Sequence, residues 1–289
     1  RAGDRGRAVH VRLSAKVPSR IKHVVPTEEK PPFVILHGLL GSASNWRTFM
    51  QRTDVIPPDH FISAIDLRNH GNSGHSATMK WHEMCGDVLE YGNELGVKKA
   101  HLIGHSMGGK VAMMLALMYP ERVSSLVVVD IAPVKYGSTE MHRTILDAMS
   151  NIDLKEIDSV SMARGKLKDH IQNQMTREFV LTNLVNNVGG ESKLKWKVNL
   201  EALGASLTSG DLTGFEAPEG SIYDGPCLFV RGSESDYVRD EHAERIAELF
   251  PNSVTKTIEG AGHWVHYQKQ DEFVKVLREW YGQNTADFL

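Results

Sequence analysis

The chain has 289 residues, 41% of them apolar and 24% charged, with a formal net charge of -3 at pH 7. That length suits one large α/β domain or a core with an inserted subdomain, and the apolar content supports a sizeable core. The charge balance gives no electrostatic case for nucleic acid, and no apolar run approaches the roughly 20 residues of a membrane span.

Cys85 and Cys227 lie far apart in sequence without metal-ligand spacing, which argues against a disulfide framework or a zinc site. Residues 1–22 hold Arg1, Arg5, Arg7, Arg12, Lys16, Arg20 and Lys22 against a single acid, Asp4. Such a start reads either as the remnant of an organellar transit region, which a first residue other than Met also suggests, or as a basic surface strand. Residues 8–17 alternate apolar and polar side chains and predict an antiparallel edge strand with one wet face. Residues 18–32 have no period and read as a connection, with room for a second short strand.

Phe33-Val-Ile-Leu36 is a continuous apolar run of the buried, parallel type. The turn that follows, His37-Gly-Leu-Leu-Gly-Ser-Ala-Ser-Asn-Trp46, has two readings. It is either a glycine-rich lead into a helix over 46–51 or half of an oxyanion hole, with the Leu39 N–H facing a reacting carbonyl. It is not a phosphate loop, since neither G-x-G-x-x-G nor a Gly-Lys-Ser/Thr ending occurs. Residues 61–65 predict another buried strand, and Asp66 and Arg68 in the next loop read as braces. A helix over 80–95 carries Trp81, Met84, Val88 and Tyr91 as one apolar stripe.

The chemistry begins at Leu-Ile-Gly-His-Ser-Met-Gly-Gly, residues 102–109. Ser106 stands between Gly104 and Gly108, after a predicted strand over 98–103 and before a predicted buried helix over 110–119 stopped by Pro120. A nucleophile elbow needs that arrangement, because the turn from strand to helix is so sharp that bulk two residues either side would block it. Met107 then offers its N–H at the helix N-terminus, where free donors and the helix dipole favour negative charge.

A strand over 123–131 carries Asp130 near its end. From 134 to 224 the pattern changes to helical segments over 140–149, 160–170, 177–186 and 194–207, with no intervening strand of the buried type. This predicts a helical cap. Met141, Met162, Met175, Trp196 and Leu207 are its candidate pocket residues, or simply its core. Beyond it come a strand over 226–232, a helix over 240–250, a last strand over 253–258, a glycine-rich loop over 260–266 with His263 and His266, and a closing helix over 271–281. Strands alternating with helices imply a mostly parallel sheet.

His37-Gly, Asp66-Leu-Arg, the 104–109 elbow and Gly260-Ala-Gly-His263 together resemble the α/β-hydrolases over residues 8–282. More narrowly, 104–110 followed by Val-Val-Val-Asp-Ile-Ala-Pro over 127–133 is similar to small bacterial esterases, mitochondrial abhydrolase-domain proteins and yeast ethanol acetyltransferases. The resemblance implies a mostly parallel α/β-hydrolase sheet flanked by helices, core over 1–133 and 225–289, with the helical cap over 134–224.

It also implies a Ser106 nucleophile, His263 as its base, and Leu39 and Met107 N–H groups as the oxyanion hole. His266 reads as a surface or supporting residue. Most α/β-hydrolases place the acid three residues beyond the glycine here numbered 232. That slot is Ser235, flanked by Glu234 and Asp236. The named subgroup instead carries its acid where this chain has Asp130, so Asp130 is the expected acid and Asp236 the alternative.

The resulting expectation is a serine carboxylester hydrolase acting on a small-molecule ester, with no metal or organic cofactor, no nucleic-acid partner and a mitochondrial location. An alcohol acyltransferase is the alternative. A receptor or scaffold role is argued against by an intact Ser, His and Asp. Acyl chain length, natural alcohol and oligomeric state are not legible.

Overall fold

The computed structural model describes residues 24–52, 54–137 and 140–284. The basic start and the edge strand expected over 8–17 lie outside these residues.

Six parallel strands form the central sheet: β1 (Phe33–Leu36), β2 (Ile62–Ile65), β3 (Ala100–His105), β4 (Val123–Val129), and, after a long insertion, β7 (Cys227–Gly232) and β8 (Ser253–Ile258), in the spatial order β2-β1-β3-β4-β7-β8. Their side chains alternate between two apolar layers, as the two-residue strand period requires. Val34, Leu36, Leu102, Leu126 and Val128 face one layer. Phe33, Ile35, Ile103, Val127 and Val129 face the other. Both faces are covered, which is why these strands read as unbroken apolar runs rather than alternating ones.

The first layer is filled by α2 (Trp81–Glu94) and α3 (Met107–Met118). Every residue of α3 from Met107 to Leu117 is buried, and apart from Lys110 the helix carries no charged or polar side chain, as suits a core helix. Its end at Met118 follows from Pro120, which disfavours helical backbone in the residue before it. The second layer is filled by α1 (Arg47–Met50), preceded by a 3₁₀ turn over Ala43–Trp46, and by α10 (Gln270–Asn284). Between β7 and β8 lies α8 (Ala243–Leu249), entered through a second 3₁₀ turn. A short α9 (Val265–Gln268) separates the 260–266 loop from α10. Among the described residues no helix is long and apolar enough to cross a membrane.

The insertion between β4 and β7 contains α4 (Glu140–Ser150), α5 (Val160–Lys168), α6 (Gln174–Leu181), β5 (Leu184–Asn186), β6 (Leu194–Trp196) and α7 (Leu200–Ser209). The hairpin corrects the expectation of helix over 177–186 and 194–207. β5 and β6 pair antiparallel, Leu184 opposite Trp196, and bury Leu184 and Leu194 against the insertion's core. The helical period in this stretch is that of α6 alone. The next helix starts only where Asn199 caps it, its side chain accepting from Ala202 N–H.

Because all six strands run the same way and are in register, their C-terminal ends meet at one edge. Leu36 lies opposite Ile65 and Gly104, His105 opposite Val129, Val129 opposite Val230, and Gly232 opposite Ile258. The loops after β1, β2, β3, β4, β7 and β8 therefore gather in one place, where open α/β sheets bind their ligands.

Candidate active site

Ser106 occupies the junction of β3 and α3 with φ +53 and ψ -116, a conformation that non-glycine residues rarely adopt. The turn is this tight because strand and helix touch through glycines. A Cβ on Gly104 would lie 2.4 Å from the Gly108 carbonyl oxygen, and one on Gly108 would lie 2.3 Å from the Leu36 carbonyl oxygen. The Ser106 N–H donates to Val129 O at 3.0 Å, which ties the turn to β4.

Asp130 ends the adjacent strand with φ +51, and its N–H donates to Val230 O at 2.8 Å. Its carboxylate is fully buried. Oδ1 accepts from Gly232 N–H at 3.0 Å, and Oδ2 accepts a short hydrogen bond from the Ser235 hydroxyl. The slot where a carboxylate was absent from the sequence thus holds a donor to the carboxylate one strand away.

His263 lies between the two. Its Nδ1 is 2.7 Å from Asp130 Oδ2 and its Nε2 is 3.0 Å from Ser106 Oγ. Since a carboxylate only accepts, Nδ1 carries the proton and Nε2 is free to accept from the hydroxyl. Tyr237 stacks on the imidazole, ring centres 4.0 Å apart. His105, on β3, donates from Nε2 to the His263 carbonyl at 2.9 Å and so fastens the 260–266 loop to the turn between β3 and α3. No hydrogen bond or ion pair joins Asp236 to His263 among the described residues; Asp236 sits on the exposed rim of the same site.

His266 is buried rather than superficial, stacked on Trp46 with ring centres 4.1 Å apart, and burial pushes it down to about 3. Burial likewise pushes His105 well below its ordinary value. Both neighbours therefore stay neutral near pH 7.

The β1 loop is rigidly held. His37 Nε2 accepts from Leu67 N–H at 3.0 Å, His70 Nε2 accepts from Leu40 N–H at 3.1 Å, and Asn183 donates to Leu40 O at 2.8 Å. Asp66 accepts from Ala43 N–H and Asn72 N–H, both at 2.8 Å, and Arg68 reaches Asp87 at 2.7 Å, so both brace their surroundings. Among the described residues the N–H groups of Leu39 and Met107 have no hydrogen bond to a protein acceptor, and both residues line one cavity with Ser106.

That cavity measures about 490 Å³ and is walled largely by apolar side chains, including Trp81, Ile131, Tyr136, Leu207 and Leu212. Of the insertion's candidate residues, Met141 and Leu207 line it. Met175 lines a separate groove with Phe179 and Trp264, and Trp196 donates to Met149 O at 3.2 Å inside the insertion. Among the described residues no group of three or more His, Cys, Asp or Glu is placed to hold a metal ion.

Lys110 is the residue that sequence reasoning passed over. One turn after Ser106, its Nζ donates to Val134 O at 3.0 Å and to Thr213 O and Gly214 O, both at 3.2 Å. It also lies over the rings of Trp81 and Tyr136, 5.6 Å and 4.8 Å from their centres. A lysine inside an otherwise apolar helix was the available signal.

Comparison with known proteins agrees with this architecture. The chain is 38% identical over 252 residues to an sn-1-specific diacylglycerol lipase, ABHD11, of Xenopus laevis, covering 86% of this chain and 78% of that protein. It is 28% identical over 275 residues to ethanol acetyltransferase 1 of Cyberlindnera jadinii, covering 89% and 81%. The solved structure of a marine microorganism esterase superposes with a TM-score of 0.81 at 33% identity, covering 88% of this chain and 97% of that one. A family profile described as the alpha/beta hydrolase fold matches residues 31–270, and the chain is a hydrolase of that family.

Proposed function

We propose that this chain is a serine carboxylester hydrolase with Ser106 as nucleophile, His263 as general base and acid, and Asp130 as the acid that orients and balances the imidazole. The unbroken hydrogen-bonded line from Asp130 through His263 to Ser106, at the floor of an apolar cavity, carries this reading.

Ser106 Oγ attacks the ester carbonyl carbon while its proton passes to His263 Nε2. The Leu39 and Met107 N–H groups receive the oxyanion. On collapse the bond to the alcohol breaks and the alcohol oxygen takes the proton from His263, leaving an acyl-Ser106. Water then repeats the sequence and releases the acid. Asp130 lowers the cost of the imidazolium by lying on Nδ1.

A cavity of about 490 Å³ with apolar walls suits short- to medium-chain or lipid-like esters. In this reading residues 134–224 form the cap and 1–133 with 225–289 the hydrolase core. The mitochondrial location rests on the resemblance to mitochondrial abhydrolase-domain proteins and on the basic start. Fractionation of cells expressing the tagged protein tests it, and exclusive recovery outside mitochondria overturns it.

Hydrolysis of p-nitrophenyl esters of graded chain length tests the acid assignment. Asp130→Asn is expected to lose about a thousandfold or more in kcat through the wrong imidazole tautomer. Asp236→Asn is expected to stay near wild type. A collapse confined to Asp236→Asn reverses the assignment.

The identity to an ethanol acetyltransferase supports a second reading, in which an alcohol rather than water takes the acyl group. Incubation with acetyl-CoA and ethanol separates the two: formation of acetate without ethyl acetate removes the acyltransferase.

A further inference from the structure

The turn after β1 is held by side chains from two distant parts of the chain. Gly38-Leu-Leu-Gly41 closes on itself, with Gly41 N–H donating to Gly38 O at 2.9 Å, and Leu40, its third residue, has φ +60. Glycine is the usual residue at such a position. A leucine persists there only where its surroundings hold it. Leu40 is held on both sides: its N–H donates to His70 Nε2 at 3.1 Å, and its carbonyl accepts from the Asn183 amide at 2.8 Å.

Asn183 lies 143 positions further on, between α6 and β5 of the insertion, and is buried. Its own backbone is pinned. The N–H donates to Val180 O at 3.0 Å, and the carbonyl accepts from Lys197 N–H at 2.8 Å, which carries the pairing of β5 with β6 one residue further. The same side-chain amide reaches Val180 O at a longer 3.3 Å. The hairpin therefore decides where this side chain points.

The turn it holds touches the nucleophile. A Cβ on Gly38 would lie 2.8 Å from His105 Nδ1 and 3.2 Å from Ser106 Cβ. Leu39 stands between Gly38 and Leu40, and its N–H has no protein acceptor among the described residues. Peptide groups are rigid planes, so a return of Leu40 to negative φ would turn the peptides before it and swing the Leu39 N–H away.

We infer that Asn183 is a positioning residue, which holds Leu40 in its unfavourable conformation from the insertion and so aims the Leu39 N–H at the oxyanion. This rests on the acyl-enzyme reading above. The insertion then does more than wall the cavity, since its hairpin is part of the frame of the oxyanion hole.

The test measures kcat and KM for p-nitrophenyl butyrate, and inhibition by an alkyl trifluoromethyl ketone, whose adduct with Ser106 carries an oxyanion. Each value is taken per active site, counted by complete fluorophosphonate labelling of Ser106. Asn183→Leu fills the same space without the donor. It is expected to lower kcat about ten- to a hundredfold with KM within about threefold, and to weaken the ketone by a similar factor, as a misplaced oxyanion donor would. Asn183→Gln, which keeps an amide donor, is expected to recover part of the loss. Glycine needs no such hold at φ +60, so Asn183→Leu is expected to cost less in a Leu40→Gly background than in wild type.

An equal cost in both backgrounds overturns the inference. So does a fall in the number of labelled sites with kcat per site unchanged, which is the outcome of a purely structural role. Absence of both Ser106 labelling and p-nitrophenolate release in wild type sinks the acyl-enzyme reading itself. Normal labelling and release in wild type, with kcat and ketone inhibition unchanged in Asn183→Leu, sinks only the role of Asn183.

Discussion

Ser106 and Asp130 both have a positive φ, +53 and +51, at the ends of neighbouring strands. Such residues cost on the order of 1–3 kcal/mol each and persist where their surroundings hold them. Here the next strand does so, through Ser106 N–H to Val129 O and Asp130 N–H to Val230 O. The strain lifts the two side chains out of the sheet edge toward His263. Glycine adopts positive φ without this penalty. Ser106→Gly is therefore expected to unfold at a higher temperature than Ser106→Ala, by the equivalent of about 1 kcal/mol, while both lose esterase activity. Equal melting temperatures for the two variants would show that the elbow stores no strain.

At the scale of elements, one side chain of α3 bridges the two ends of the segment between β4 and β7. Lys110 joins Val134, where the insertion leaves the core, to Thr213 and Gly214, where the chain turns back after α7. Burial pushes its ammonium down to about 7, while three carbonyls and two ring faces favour the charged form. Lys110→Met keeps the length and removes the donors, which leaves the Val134 carbonyl without its partner, while Thr213 O keeps the Tyr136 N–H and Gly214 O keeps the Trp81 N–H. We expect a loss of about 1–2 kcal/mol and faster proteolytic cleavage within 134–224 than elsewhere in the chain. Limited proteolysis with the sites mapped by mass spectrometry checks this. Cleavage at the wild-type rate in that segment would mean that apolar packing alone holds the insertion down.

For the molecule as a whole, its buried histidines make stability depend on acid. His70 and His266 are pushed to about 3, and His101 and His142 to about 4, each mainly by burial. In the unfolded chain each returns to its ordinary value near 6.5. Between the two values the unfolded state binds more protons, so stability is complete above about pH 6.5 and falls as the pH drops toward the folded values. Each such group contributes a slope of about 1.4 kcal/mol per pH unit within its window. Thermal melts are expected to shift steeply downward between pH 6.5 and 4. A flat melting temperature across that interval would show that these rings are open to solvent in the folded protein.

Much of this was legible in the residues themselves. Strand, elbow and helix over 98–119 could be read because Gly104, Gly108 and the apolar runs act on neighbours within a few positions, where sterics leave little choice. Even there α3 begins at Met107 rather than Lys110, since its glycines serve as contact points and not as a break. The hairpin of β5 and β6 was hidden because three-residue strands carry too little period to outweigh the helices on either side. Which carboxylate meets His263 was legible only through the family resemblance, which favoured Asp130 over Asp236, and not through the residues alone. Asp130, Glu234 and Asp236 are equivalent as strings of letters, and only parallel strands in register carry Asp130 to Nδ1 of a ring 133 positions away while the exposed rim keeps Asp236 apart. Local backbone preference is written in adjacent residues; which distant side chains touch is decided by the sheet, because a hydrogen bond requires that both partners be delivered to the same edge.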